Sequence, residues 1–271
     1  MSTALTIQNA TPAQIVTMAK DSFLKAGVSE EQFNKEAGFA IQAFRQNDYL
    51  AKMDKQSIKD AIVNVALTGL TLNPELKLGY LIPFKGRLYF RSSYMGKREI
   101  LLRSGMVRDV WSELVYEKDD FSVLNGTTRE LKHELPENPF EDRGKLVGGY
   151  WVAILQNGER PFGIMSKKEI DDISKRSESM KAGSSSPWKT DYEEMAKKTI
   201  LNRAFKSLPK TGISDDCLRS MEADGQLDQE EQQDWIKRNT TPSNDLIEED
   251  GPEDAVIVPD EPMSDNNGNN V

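Results

Sequence analysis

Eight basic side chains fall between Leu76 and Arg108: Lys77, Lys85, Arg87, Arg91, Lys97, Arg98, Arg103 and Arg108. Only Glu99 opposes them, so this stretch carries +7. Tyr80, Phe84, Tyr89, Phe90 and Tyr94 are interleaved. Cations at this density neutralise phosphates, and rings among them offer faces on which bases stack without being read. If residues 87–91 form a strand, its period of two sets Arg87, Tyr89 and Arg91 on one face and Leu88 and Phe90 on the other. The first face suits a single nucleic-acid strand and the second suits a core. The same residues also describe an ordinary solvated sheet face with tyrosines as packing, although such faces usually mix charges of both signs.

A second basic cluster lies in a segment with helical spacing, 190–207. It holds Lys189, Lys197, Lys198, Arg203 and Lys206, with Lys210 just beyond. Tyr192, Met195, Ala196, Ile200 and Ala204 form one apolar stripe, and Leu201, Phe205 and Leu208 a second edge. A helix apolar on two sides is either deeply buried or shared with a neighbouring subunit. Acidic residues at its start and basic ones towards its end also suit the helix dipole, a structural use of the same charges.

Other chemistries fit less well. A phosphate-binding loop ends in Gly-Lys-Ser/Thr, but Gly96-Lys97 is followed by Arg98 and Gly144-Lys145 by Leu146. With Cys217 and His133 the only residues of their types, a zinc site of several Cys and His ligands within one chain is excluded, as is an internal disulfide. A metal-dependent nuclease would draw on Glu75-Leu76-Lys77 or Glu130-Leu131-Lys132, with Asp119 and Asp120 upstream of the second. Such triplets arise readily by chance where 29% of residues are charged. No catalytic residues, metal or cofactor are therefore expected. His133 sits in a polar run and is expected at the surface, and Cys217, beside Asp215 and Asp216, has no sequence neighbour to activate it.

The elements that must position these residues follow from caps and periodicity. Thr11-Pro12 with Gln14, Ser29 with Gln32, and Asp54 open three helices, the first closed by Gly27 and the third by Gly69. Residues 78–84 and 87–92 read as strands joined by Lys85-Gly86, followed by a helix over 93–103 stopped by Gly105. Strands are expected at 106–116, 120–124, 128–134, 146–155 and, after Asn157-Gly158, at 160–165. Ser166 and Glu169 box a helix reaching about Ser174, residues 175–188 read as a polar loop, and Thr190 with Glu193 caps the helix to Ser207, ended by Pro209. The fold class expected is α+β, with helices at both ends of a mostly antiparallel sheet.

Charge divides the chain. Residues 221–271 hold 15 acidic against two basic residues, leaving 33 basic and 29 acidic in the rest. The body is therefore +4 and the tail −13, so the net −9 describes neither. With 37% hydrophobic residues overall, and few aromatics beyond Leu227, this tail is expected to be disordered. The N-terminal MSTALTIQNA lacks a basic start and an apolar run, and no apolar stretch approaches the ~18 residues that span a membrane. A cytoplasmic protein with no membrane partner is expected.

Two stretches, LNPELKLGYLIPFKGRLYFRSSYMGKREILLRSG (72–105) and PWKTDYEEMAKKTILNRAFKSLP (187–209), resemble the RecT family of phage and prophage recombinases. The likeness includes Leu-Asn-Pro, Tyr-Leu-Ile-Pro, Tyr-Met-Gly followed by Arg-Ser-Gly, and the Met-Ala-Lys-Lys-Thr helix ending in Leu-Pro, and in order and spacing it covers about residues 10–215. It implies an ATP-independent single-strand annealing protein, assembled into rings or filaments on single-stranded DNA and on the annealed duplex. It also implies a β-hairpin-rich core backed by helices, and a 5′-to-3′ exonuclease or single-strand-binding protein as partner. Carried onto this chain, Lys97, Arg98, Arg103, Lys198, Arg203 and Lys206 would line the strand-binding groove with Tyr94 beside them, and Lys85, Arg87 and Arg91 would join them if that hairpin face meets DNA. Residues 1–70 are then a helical, subunit-contacting segment, 71–220 the annealing core, and 221–271 an acidic tail. Trp235 and its surroundings could form a small partner-binding helix, or the tail could mimic DNA or serve solubility alone. The alternative to annealing is a phage assembly or interaction factor whose basic face meets a protein.

Overall fold

A computed structural model describes residues 6–177, 180 and 186–221. The expectations for the disordered tail, the Trp235 helix and much of the 175–188 loop lie outside these residues. Helices α1 (Pro12–Met18), α2 (Lys20–Lys25), α3 (Glu30–Gln46) and α4 (Lys55–Thr68) come first. A hairpin, β1 (Gly79–Phe84) and β2 (Arg87–Ser92), leads into α5 (Tyr94–Arg103). Strands β3 (Val107–Tyr116), β4 (Asp120–Asn125), β5 (Arg129–Glu134), β6 (Leu146–Leu155) and β7 (Phe162–Ser166) follow, then α6 (Lys167–Arg176), α7 (Pro187–Thr190) and α8 (Tyr192–Ser207). The fold is α+β with every strand pair antiparallel, but the expected sheet is three pieces: β1-β2, β3-β6-β7 and β4-β5. Among the described residues no helix is long and apolar enough to cross a membrane.

Local chemistry accounts for most boundaries. Thr11 and Gln14 close a full capping box, as do Ser166 and Glu169, while Ser29 accepts from the Gln32 N–H without the return bond. The first helix is not continuous. At Ala19 the N–H is shared between the Ile15 and Val16 carbonyls, a local tightening that divides α1 from α2. The cap expected from Thr190 is also different. Thr190 ends α7, whose cap is Ser186, and α8 starts from Asp191 without a side-chain cap bond. Thr190 is drawn away by its own bond to Asp191 Oδ2 at 2.6 Å.

Two packings set the frame. Helix α4 lies under the first hairpin. The Leu88 N–H donates to buried Ser57 Oγ (2.9 Å), and the Asp54 N–H donates to the Gly86 carbonyl (2.8 Å), so the helix start is pinned to the hairpin tip. Helix α8 lies on the β3-β6-β7 sheet and also meets α5 and α6. Ser112 Oγ donates to the Lys197 carbonyl (3.2 Å), and Gly149 allows the approach, because a Cβ there would sit 2.6 Å from Ile200 Cδ1. The apolar core runs as one cluster from Ala10 to Met221, and both apolar edges of α8, through Ile200, Phe205 and Leu208, are buried within it.

The β4-β5 hairpin folds onto the other face of that sheet through a buried polar cluster. Phe121 stacks on Tyr150 with centroids 5.8 Å apart, and Arg129 donates to the Phe162 carbonyl (2.6 Å). Against the expectation of a surface site, His133 is buried: Nδ1 lies 3.0 Å from the Tyr150 hydroxyl and Nε2 3.1 Å from Asp119 Oδ2. Period two explains it. His133 pairs across the hairpin with Phe121, and both point inward, while Lys132 and Glu134 point out. The fully buried Asp119 also accepts from Arg143 (2.6 Å) and from the Tyr116 N–H (2.8 Å). Arg143 in turn lies 4.3 Å over the Tyr116 ring.

Burial works to raise the Asp119 pKa, but the bonds from Arg143, the Tyr116 N–H and His133 outweigh it and hold the carboxyl at about 2, below its ordinary 3.8. The unfolded chain therefore binds the proton first, and the stabilisation is complete above about pH 4 and lost as pH falls towards 2. Its size is about 2 kcal/mol. Urea midpoints should fall more steeply between about pH 4 and 2 for the natural chain than for Asp119→Asn; parallel curves would remove Asp119 as the origin.

Candidate nucleic-acid interface

The β1-β2 register sorts the hairpin's side chains. Tyr80 faces Arg91, Ile82 faces Tyr89 and Phe84 faces Arg87, so three cross-strand pairs share one face. The other face holds Leu88 and Phe90, 2% and 3% exposed, and packs towards α4. The accessible face is thus the one bearing Arg87, Tyr89 and Arg91, with Tyr80 44% exposed beside them. At the tip, Lys85 and Gly86 both have positive φ, as a two-residue type I′ turn requires, and Lys85 Nζ lies 5.1 Å from the Phe84 ring centroid. Cations and rings thus lie together along the accessible face of the hairpin.

The other basic residues divide by what their charged ends already touch. Lys97 reaches from α5 to α8, donating to Asn202 Oδ1 at 3.3 Å. Lys198 and Lys206 stand one helical turn before and after Asn202 on α8, so Lys97, reaching over from α5 to Asn202, meets the row that Lys198 and Lys206 form. Asn202 was not among the expected residues; the i, i+4, i+8 spacing of Lys198, Asn202 and Lys206 is the signal that could have found it. Tyr94, half-buried, opens α5 behind its cap Ser93.

The remaining three point elsewhere. Arg98 donates to the Val110 carbonyl (2.9 Å) and pairs with Asp109 (2.6 Å), which covers an outward carbonyl on the edge strand β3. Arg103 donates to the Thr68 and Gly69 carbonyls (3.0 and 2.8 Å), satisfying the exposed end of α4. Arg203 turns to α6 and meets Glu169 at 3.1 Å. Cys217 is buried, and burial pushes its thiol pKa up, with Arg103, a spatial neighbour that the linear sequence concealed, pulling the other way. Among the described residues no three His, Cys, Asp or Glu side chains gather where they could hold a metal ion.

A family model, the RecT family, matches residues 32–242, which takes in both basic clusters. The chain is 34% identical over 178 residues to Protein RecT of Escherichia coli (strain K12), covering 63% of this chain and 64% of that protein. It is 26% identical over 175 residues to the uncharacterized protein YqaK of Bacillus subtilis (strain 168), covering 64% of this chain and 57% of that one. The matches thus span less than two thirds of either relative.

The division among the cations is testable by folding stability alone. Arg98→Ala and Arg103→Ala each strand a backbone carbonyl and should cost about 1–2 kcal/mol in urea denaturation. Lys206→Ala, at an exposed site, should stay within about 0.5 kcal/mol. Equal effects at all three positions would erase the distinction.

Proposed function

The chain belongs to the RecT family, and on that premise we propose that it binds single-stranded DNA and anneals complementary strands without nucleotide hydrolysis, acting as an oligomer. The observation that carries this reading is the solvent face of the β1-β2 hairpin, where Tyr80–Arg91, Ile82–Tyr89 and Phe84–Arg87 lie in rows. Guanidinium groups there hold phosphates and rings stack on bases, and neither reads sequence. Lys97, Lys198 and Lys206 supply a second set of cations, with Tyr94 near the first turn of α5. Arg98 and Arg103 cap backbone carbonyls and Arg203 pairs with a carboxylate, so reaching a strand would cost these arginines structural bonds, and their share of the binding is smaller.

The mechanism needs no covalent step. Many weak phosphate contacts, repeated in each subunit, hold a strand extended with its pairing edges outward. A second strand then samples register, and correct stacking, about 1.4 kcal/mol per step, drives annealing downhill. Residues 71–220 form the annealing core and residues 1–70 contact neighbouring subunits. The acidic segment 221–271 docks a partner, for which a 5′-to-3′ exonuclease or a single-strand-binding protein is suited.

Arg87→Ala/Arg91→Ala removes two cations from the hairpin face and leaves the apolar face intact. Its affinity for an oligothymidine should fall roughly tenfold or more at 0.1 M salt, and the slope of log affinity against log salt should become shallower by about 1.4. Fluorescence anisotropy across a salt series measures both. Unchanged affinity and slope would move the strand off this face, and no binding by the natural chain would leave a protein-binding face in its place.

A further inference from the structure

Phe140 is 95% exposed, the most exposed large apolar side chain among the described residues. It stands in the connection between β5 and β6, and bonds on either side fix the backbone around it. Asn138 Oδ1 accepts from the Phe140 N–H (3.2 Å), Asn138 Nδ2 donates to Glu141 Oε1 (2.9 Å), and Lys118 Nζ donates to the Asp142 carbonyl (2.7 Å). A loop tied at three points thus holds an aromatic ring in water, with Leu135 of the same loop 53% exposed. Such a ring gains most by entering a cavity on another molecule, and a backbone already in place loses little entropy on doing so.

Charge narrows the choice of partner. Residues 117–142 hold eight acidic and three basic residues, leaving 30 basic and 21 acidic in the rest of 1–220. The surroundings of Phe140 are therefore −5 and the remainder of the body +9. Two such loops brought face to face would repel, and so would a loop and DNA, whereas the positive remainder of a second copy attracts the loop. The chain also carries a receiving surface. A groove of about 410 Å³ lies between α3 and residues 71–76, with Phe39 and Leu76 as apolar walls and Ser29, Gln32, Lys35 and Asn73 around them. Leu76 is 51% exposed there. Glu36 at the groove already accepts from the Thr71 hydroxyl and the Leu72 N–H (2.6 and 2.8 Å), and Glu31 pairs with Lys35 (2.8 Å), so both acids have donors of their own.

We propose that Phe140 is the anchor by which one copy of this chain docks on another, its side chain entering the neighbouring copy's groove between α3 and residues 71–76. This inference names a contact for the oligomer proposed above; it rests on that oligomer and not on DNA binding. Lys35 at the groove and Lys77 next to Leu76 are both exposed and suit the carboxylates of Glu137, Glu141 and Asp142 around Phe140. Loop and groove are different patches, so the contact is heterologous. Each copy inserts one phenylalanine and receives one, and the series either closes on itself or continues as a filament. A single buried aromatic side chain covers roughly 150–250 Å², which makes Phe140 the centre of a wider contact.

The test is sedimentation velocity of the full-length protein, alone and with an oligothymidine, for the natural chain, Phe140→Ala, Leu76→Asp and an equimolar mixture of the two variants. Both side chains are exposed, so both variants should keep the circular dichroism of the natural chain. Wherever the natural chain assembles, each variant alone should associate more weakly by roughly tenfold or more in dissociation constant. Their mixture should give dimers and nothing larger, because the intact loop of Leu76→Asp fits the intact groove of Phe140→Ala and neither copy can then add another. Assembly of Phe140→Ala equal to that of the natural chain would overturn the anchor and leave the proposed oligomer standing. A mixture that associates no better than either variant would overturn the groove as its receiver. A natural chain that stays monomeric under both conditions would overturn this inference together with the proposed oligomer.

Discussion

Leu88 and Phe90 have to leave water, and α4 is the surface that takes them. Burying two such side chains contributes about 1.5–3 kcal/mol each. Because a strand alternates its faces, that burial also decides that Arg87, Tyr89 and Arg91 point outward. The hydrogen bonds from the Leu88 and Asp54 N–H groups to Ser57 Oγ and the Gly86 carbonyl lock helix and hairpin together. A slip of one residue would bury two guanidinium groups and expose a phenylalanine. The cationic, aromatic face is therefore a consequence of core packing.

The same economy governs the arginines and lysines elsewhere. Guanidinium groups, with several donors in a fixed fork, serve where backbone carbonyls are left over: Arg98 on the edge of β3, Arg103 at the end of α4, Arg129 on β7. In the row around Asn202 the cations are lysines, whose point charges suit phosphate contacts of loose geometry. Arg143 also reaches a carbonyl, that of Leu114 at 3.4 Å, but its main partner is a carboxylate. It compensates the buried Asp119 and thereby fastens the β4-β5 hairpin to the sheet.

Much of this was legible in the sequence. Period two over residues 87–91 anticipated the hairpin's faces, and the caps at Thr11, Asp54 and Ser166 anticipated helix starts, because these signals are local. What was not legible depended on distant partners. His133 looked like a surface residue because Lys132 and Glu134 flank it, yet the alternation of Leu131 and His133 with exposed neighbours marks an inward face whose cover, Tyr150, lies far along the chain. Arg98 and Arg103 counted as positive charge in the linear reading, and only the positions of Val110 and Thr68 reveal that their donors are occupied. Thr190 carried a good cap signature, but a second signal at Ser186-Pro187 opened a short helix across it.

The annealing proposed for this chain rests on that outward, cationic and aromatic face. The most direct test mixes two complementary labelled oligonucleotides with the purified protein, without ATP, at low and at high salt. Rapid pairing at low salt that fades as salt rises is the expected result, since phosphate neutralisation drives it. Strands that pair no faster with the protein than without it, in salt low enough to favour binding, would contradict an annealing function.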